Sequence, residues 1–172
     1  MVSKTKYVHH PASEDGTPPL PSDNPQGFYQ RDSFSSTNNM GYLLKRAWTV
    51  LANAVEQEVA YLDLTYPQFV IMIKLYEGSC STAAELAREV NTDTGAMTRM
   101  LARLECKELI RRVRNPEDRR SFTLAVSELG QRILERAMID AINVLNRYFS
   151  DFSDEEMALL NTLLRRIIKR GL

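Results

Sequence analysis

A mainly α-helical chain with one small β-hairpin is the fold class this sequence predicts, on three observations. Capping signals followed by apolar residues at helical spacing recur along the chain. A short polar turn, Asn91-Thr92-Asp93, separates two such segments. Within residues 109–126, two apolar runs of strand length flank a basic tip carrying the turn signal Asn115-Pro116.

Taken in chain order, residues 1–35 differ in kind from the rest. Five of the seven prolines fall between Pro11 and Pro25, among Ser, Asp, Gly and Asn. Such a segment cannot bury enough apolar surface to offset its ordering entropy, so a flexible arm is expected. Phe28, Tyr29 and Phe34 near its end are suited to docking on an apolar surface. A long helix follows over about 39–62, with Leu43, Ala47, Val50, Leu51, Ala54 and Tyr61 on one expected apolar stripe. Glu58 falls inside that stripe, where a buried acid is costly unless paired.

Thr82-Ala83-Ala84-Glu85 is a capping box that opens a helix over 83–90, with Leu86 and Val90 spaced for one buried face. Asn91-Thr92-Asp93 then supplies turn and N-cap chemistry for a second helix over about 94–106. Met97, Met100, Leu101 and Leu104 gather on one side of it; Gly95, Thr98, Arg99, Ala102 and Arg103 gather on the other. The second face is small near the N-terminus and basic further along. The following hairpin displays Arg114, Arg119 and Arg120, with Asp118 placed to brace one of them. Arginine binds phosphate bidentately and stays charged at any working pH. Helix, turn, helix and arginine-tipped hairpin together make a winged helix-turn-helix, whose second helix is expected to reach DNA base edges.

Ser127 caps a further helix reaching about Phe149, and Ser153-Asp154-Glu155-Glu156 is the capping box of the last. That last helix closes on Arg165, Arg166, Lys169, Arg170 and Gly171, which suits the negative end of the helix dipole. Ile139, Ile142, Leu145, Leu159, Leu160, Leu163, Leu164, Ile167 and Ile168 outnumber the partners that one chain offers them. A two-fold homodimer built from both chain ends would absorb the excess. The expected organisation is an arm (1–35), a winged helix-turn-helix (63–126), and dimerisation helices over 36–62 and 127–172.

Charge is informative only locally. The chain has 22 basic and 22 acidic residues, yet between Arg99 and Arg120 eight basic residues face four acids, a local +4. Counterion release depends on the local patch, so a neutral protein can bind DNA through one basic face. No Gly-rich phosphate loop, zinc-ligand spacing or nucleophile–histidine pairing outside the arm occurs, so neither an enzyme nor a metal or cofactor site is expected. No apolar run approaches membrane-spanning length and no signal-peptide core opens the chain, so a soluble cytoplasmic protein is expected.

Residues 41–170 resemble the MarR (multiple antibiotic resistance regulator) family of bacterial transcription factors. The resemblance rests on Gly41-Tyr42-Leu43-Leu44-Lys45-Arg46-Ala47, Leu64-Thr65-Tyr66-Pro67-Gln68-Phe69 and Glu85-Leu86-Ala87. Above all it rests on Asn115-Pro116-Glu117-Asp118-Arg119-Arg120 followed by a strand and Gly130. Glu108 stands where the family usually has glycine, and Val126-Ser127 replaces the common Leu-Thr.

The resemblance implies a homodimeric repressor on a pseudo-palindromic double-stranded operator. The residues expected at DNA are Thr92, Thr94, Gly95, Thr98, Arg99 and Arg103 of the turn and second helix, and Arg114, Asn115, Asp118, Arg119 and Arg120 of the wing. It also implies a small aromatic acid or phenol as effector, for which Tyr42, Arg46, Trp48 and Glu58 are candidates; each is equally readable as a surface or packing residue. Two other readings stand beside this one: a redox-switched repressor using Cys80 or Cys106, and a winged-helix protein-interaction module that never touches DNA.

Overall fold

The computed structural model describes residues 29, 34–37, 39–114 and 122–171. The proline-rich segment of the arm lies outside the described residues. The chain divides into two compact units, Met1–Thr49 and Val50–Leu172, with helix α1 (Met40–Val59) running through the division.

In the first unit the Tyr29 and Phe34 rings meet edge to face at 5.9 Å. The Tyr29 hydroxyl accepts from the Met40 amide at 2.7 Å, and Asn39 Oδ1 accepts from the Tyr42 amide at 2.9 Å. Both bonds satisfy N–H groups that the first turn of α1 leaves without an intrahelical partner.

In the second unit α1 continues into a 3-10 turn, Ala60–Leu62, that ends at left-handed Asp63 (φ 55°). Then come α2 (Tyr66–Tyr76), α3 (Ala83–Glu89), α4 (Thr94–Cys106), β1 (Ile110–Arg114), β2 (Phe122–Val126), α5 (Glu128–Tyr148) and α6 (Asp154–Gly171). The strands pair antiparallel, with Ile110 opposite Val126 and Arg114 opposite Phe122. A mainly helical fold with a two-stranded wing is what the sequence predicted.

The second helix of the chain starts where Gln68 Oε1 accepts from the Thr65 amide at 3.2 Å and Glu56 Oε2 from the Tyr66 amide at 2.9 Å. Its Phe69, Ile71, Met72 and Leu75 enter one core with Val55, Val59, Leu86, Met97, Leu101, Leu104, Ile110, Leu134 and Val144. α2 lies against α5 and β2, α3 against α4, and α4 against β1. The Leu124 amide donates to the Ser81 carbonyl at 2.8 Å, which stitches the wing to the residues before α3.

Of the expected apolar stripe of α1, Leu43, Ala47, Val50 and Tyr61 are exposed, Leu51 is half-buried and Ala54 packs partly buried against the core. Ala52, Val55 and Val59 are buried instead, on the opposite side of the helix at about 100° per residue. Small and β-branched residues suit the close approach of α1 to the core. Glu58 is exposed and paired within the chain, its Oε2 accepting from Arg147 Nη2 of α5 at 2.9 Å.

The last two helices leave many of their large apolar residues outside, as the excess of isoleucine and leucine predicted. Among the described residues α6 buries none, and Leu159, Leu163, Ile167 and Ile168 are exposed. On α5, Leu134, Ala137, Ala141 and Val144 face the core, while Ile139 and Ile142 are each 52% exposed.

Candidate nucleic-acid interface

The turn between α3 and α4 is built from two local devices. α3 begins at the Thr82 capping box, where Glu85 Oε2 accepts from the Ser81 and Thr82 amides at 2.8 and 3.0 Å. Those amides hold the Glu85 carboxyl below the usual carboxylate range. α3 ends in a Schellman motif around left-handed Asn91 (φ 50°), with Thr92 N donating to Ala87 O and Asn91 N to Arg88 O. Asparagine tolerates that conformation better than most residues. Two residues later Asp93 caps α4, its Oδ1 accepting from the Ala96 amide at 2.8 Å.

α4 is divided as its sequence predicts. Met97, Leu101 and Leu104 are buried and Met100 is half-buried, whereas Gly95, Thr98, Arg99, Ala102 and Arg103 are exposed. Thr94 is exposed and Thr92 half-buried. The Thr98 hydroxyl donates to the Thr94 carbonyl at 2.8 Å, which directs its oxygen lone pairs away from that bond.

α4 ends in a second Schellman motif, with Glu108 N donating to Glu105 O and Leu109 N to Leu104 O. Glu108 is the left-handed residue (φ 58°), where the resemblance led us to expect glycine. The wing base is fastened just beyond it. The Ser127 hydroxyl donates to the Glu108 carbonyl at 2.6 Å, and the Ser127 amide to the Leu109 carbonyl at 3.0 Å. Gly130 is buried here because a Cβ would stand 2.0 Å from the Leu109 carbonyl oxygen. Only hydrogen fits.

Not every basic residue of the expected patch faces solvent unengaged. Arg112 of β1 forms a two-pronged pair with Glu105 of α4, Nε to Oε1 at 2.6 Å and Nη2 to Oε2 at 3.2 Å. Lys107 Nζ lies 3.0 Å from Asp63 Oδ2 and also donates to the Asp63 carbonyl. Both ion pairs therefore brace the C-terminal end of α4 against neighbouring elements. Arg99, Arg103, Arg111 and Arg114 are exposed and form no ion pair among the described residues. Asn115, Asp118, Arg119 and Arg120 of the wing tip lie outside the described residues.

Tyr42, Arg46 and Trp48, the other effector candidates, stand exposed on α1 in the first unit. Cys80 is buried among the core residues, whereas Cys106 at the end of α4 is exposed. Sequence reading missed the partners Glu105, Asp63 and Leu109, since each is paired with its residue only by the fold. It also missed buried Asp140, which accepts from the Tyr61 hydroxyl at 2.6 Å, with Arg136 Nε donating to that hydroxyl at 2.9 Å. Among the described residues no His, Cys, Asp and Glu cluster could hold a metal ion, and no helix is long and apolar enough to cross a membrane.

Comparison with known proteins agrees with the winged helix. The MarR family model matches residues 64–122. The multiple antibiotic resistance protein MarR of Salmonella typhimurium is 33% identical over 108 residues, 62% of this chain and 75% of that protein. An organic hydroperoxide resistance transcriptional regulator of Bacillus subtilis is 27% identical over 138 residues, 80% of this chain and 92% of its own length. Among solved structures, a mutant Escherichia coli MarR complexed with operator DNA superposes with a TM-score of 0.66 at 25% identity, covering 74% of this chain and 92% of that one. On these matches the chain belongs to the MarR family, whose members are transcriptional regulators rather than enzymes.

Proposed function

We propose that this chain is a homodimeric repressor that binds a pseudo-palindromic DNA operator through α4 and the wing and is released by a small aromatic acid or phenol. The observation that carries the DNA reading is the outward face of α4, where Thr98, Arg99 and Arg103 stand exposed, with Arg111 and Arg114 of β1 exposed as well. The solved relative bound to operator DNA supports the same reading. Thr92, Thr94 and Gly95 would lie nearest the groove at the helix start, with Asn115, Asp118, Arg119 and Arg120 at the wing tip. Arg99 would read base edges, whereas Arg103, one turn on, would meet phosphate.

Dimerisation is supported by the apolar faces that α5 and α6 leave uncovered. Two such protomers would present their recognition helices about one DNA turn (~34 Å) apart. In this reading residues 63–126 would bind DNA and 36–62 and 127–172 would pair the subunits, with 1–35 as an arm. A cytoplasmic site of action suits a DNA-bound regulator.

The test is selection from a randomised duplex pool, with affinity measured across salt. Phosphate binding makes log affinity fall linearly with log salt, by roughly 0.9 per phosphate contact. A salt-independent interaction, or none, would favour a protein-interaction module instead. Benzoates, phenols and cinnamates are then screened for a raised melting temperature together with operator release, two effects that linkage ties to one coupling factor. For the redox alternative, the exposure of Cys106 favours it over buried Cys80. Alkylating Cys106 without changing DNA affinity or its peroxide response would remove that alternative.

A further inference from the structure

The start of α4 holds an arrangement that neither helix capping nor a basic patch requires. A Cβ on Gly95 would lie 3.1 Å from Asp93 Oδ1 and 3.5 Å from Arg99 Nη1. The Arg99 guanidinium is thus folded back one turn toward the helix start and, with no ion pair between them, it borders with the Asp93 carboxylate the slot left where residue 95 has no side chain. Asp93 Oδ1 is at the same time the cap acceptor of the Ala96 amide. That amide, next the Gly95 amide and then the charge of Arg99 help to hold the Asp93 carboxyl below the usual range.

We propose that Asp93, acting across the Gly95 slot, is a positioning residue that sets the Arg99 side chain for base recognition and thereby determines specificity. The inference rests on the DNA-binding reading of α4. A guanidinium near a carboxylate, even without direct contact, has part of its charge offset, so it gains less from whichever phosphate is nearest. Sequence-independent binding, which is almost wholly that phosphate term, is weakened. Arginine carries five N–H donors, so one edge can face the acid while another meets the paired O6 and N7 acceptors of a guanine. A side chain already held near its binding geometry also loses less freedom on contact. The acid therefore subtracts more from the wrong complex than from the right one.

The full chain is measured by fluorescence anisotropy against its selected duplex and against a shuffled duplex of equal composition. Asp93→Ser retains a capping oxygen but removes the charge. Its selected-to-shuffled affinity ratio is expected to fall about tenfold, the loss of one well-placed base contact. Affinity for the shuffled duplex rises and its salt slope steepens by about one. Gly95→Ala, which crowds the slot, lowers the ratio as well, without lowering the melting temperature. In an Arg99→Ala background, adding Asp93→Ser leaves the ratio where it was.

An unchanged ratio in Asp93→Ser overturns the proposal, and so does an equal fall in the Arg99→Ala background, which would mark a capping role alone. A wild-type chain that selects no duplex at all sinks the DNA-binding reading and this inference with it. One that discriminates as well without Asp93 as with it sinks the inference alone.

Discussion

α4 and α6 are both amphipathic helices, yet the fold uses them in opposite ways. α4 turns Met97, Leu101 and Leu104 into the core and leaves Thr98, Arg99 and Arg103 outside. α6 exposes Leu159, Leu163, Ile167 and Ile168 and buries nothing among the described residues. A polar face left outside by a helix already held in place is stable in water and available to a charged partner. An apolar face left outside is not at its free-energy minimum in water, since each buried CH2 is worth about 0.8 kcal/mol. The first surface fits phosphate and base edges; the second fits another apolar surface, and a second copy of the chain supplies one automatically.

The largest expected effect lies on the α6 side. Leu163→Asp combined with Ile167→Asp would place unpaired charges in the proposed interface and weaken dimerisation by at least ~3 kcal/mol, more than a hundredfold in dissociation constant. Sedimentation should then report a monomer where the wild type is a dimer. Identical sedimentation of the two proteins would break the comparison, because α6 would need no apolar partner.

Next comes the joint that fixes α4 to the wing. Gly130→Ala drives a methyl group into the Leu109 carbonyl, so backbone must move, and a loss of about 2–3 kcal/mol in unfolding free energy is expected by denaturant titration. A variant as stable as wild type would show that the wing base gives way easily.

On the α4 side, Arg99→Ala should cost ~1–3 kcal/mol at particular base pairs, whereas Arg103→Ala should lower affinity evenly across sequences. Arg120→Ala in the wing should cost a similar ~1–3 kcal/mol, with a smaller loss for Arg119→Ala, as a guanidinium entering a narrow minor groove reads both shape and charge. A randomised-operator assay checks all four variants. Exchanged patterns for Arg99 and Arg103 would reverse their assigned roles.

Glu108→Gly is expected to raise stability by about 1 kcal/mol, because a left-handed residue with a Cβ is strained and glycine is not. Glu108→Ala keeps the Cβ and should give no such gain. Equal melting temperatures for the two variants would contradict the observed φ. Removing an acid beside the basic patch should also tighten DNA binding slightly, most visibly at low salt.

The smallest effect concerns acid. The Ser81 and Thr82 amides lower the Glu85 carboxyl pKa in the folded state. The unfolded carboxyl takes up its proton first as pH falls. The stabilisation is therefore complete above the ordinary carboxylate range and is lost as pH drops through the lower folded value. Glu85→Gln should melt earlier than wild type at neutral pH and converge with it once the pH falls below the lowered folded value. A constant difference across that range would remove the carboxylate from the account.

Much of the DNA-facing half was legible in the residue order, because its determinants are local. The Thr82 and Ser153 boxes, the Asp93 and Ser127 caps and the two faces of α4 all depend on neighbours within four residues. Even the left-handed turn at Glu108 could be expected, since a chain leaving a helix for a strand needs one such residue.

Tertiary structure alone decided the rest. Leu43, Ala47, Val50 and Tyr61 form a larger apolar stripe than Ala52, Val55 and Val59, yet the smaller set is buried. Periodicity states that a helix has an apolar face; which of two such faces meets the core depends on how closely its neighbours approach. Arg112 and Lys107 read as members of a basic patch until the fold brought Glu105 and Asp63 to them. A charge is equally compatible with phosphate and with carboxylate, so its role is set by whichever lies within reach, and reach across 44 residues, as between Asp63 and Lys107, is a property of the folded chain.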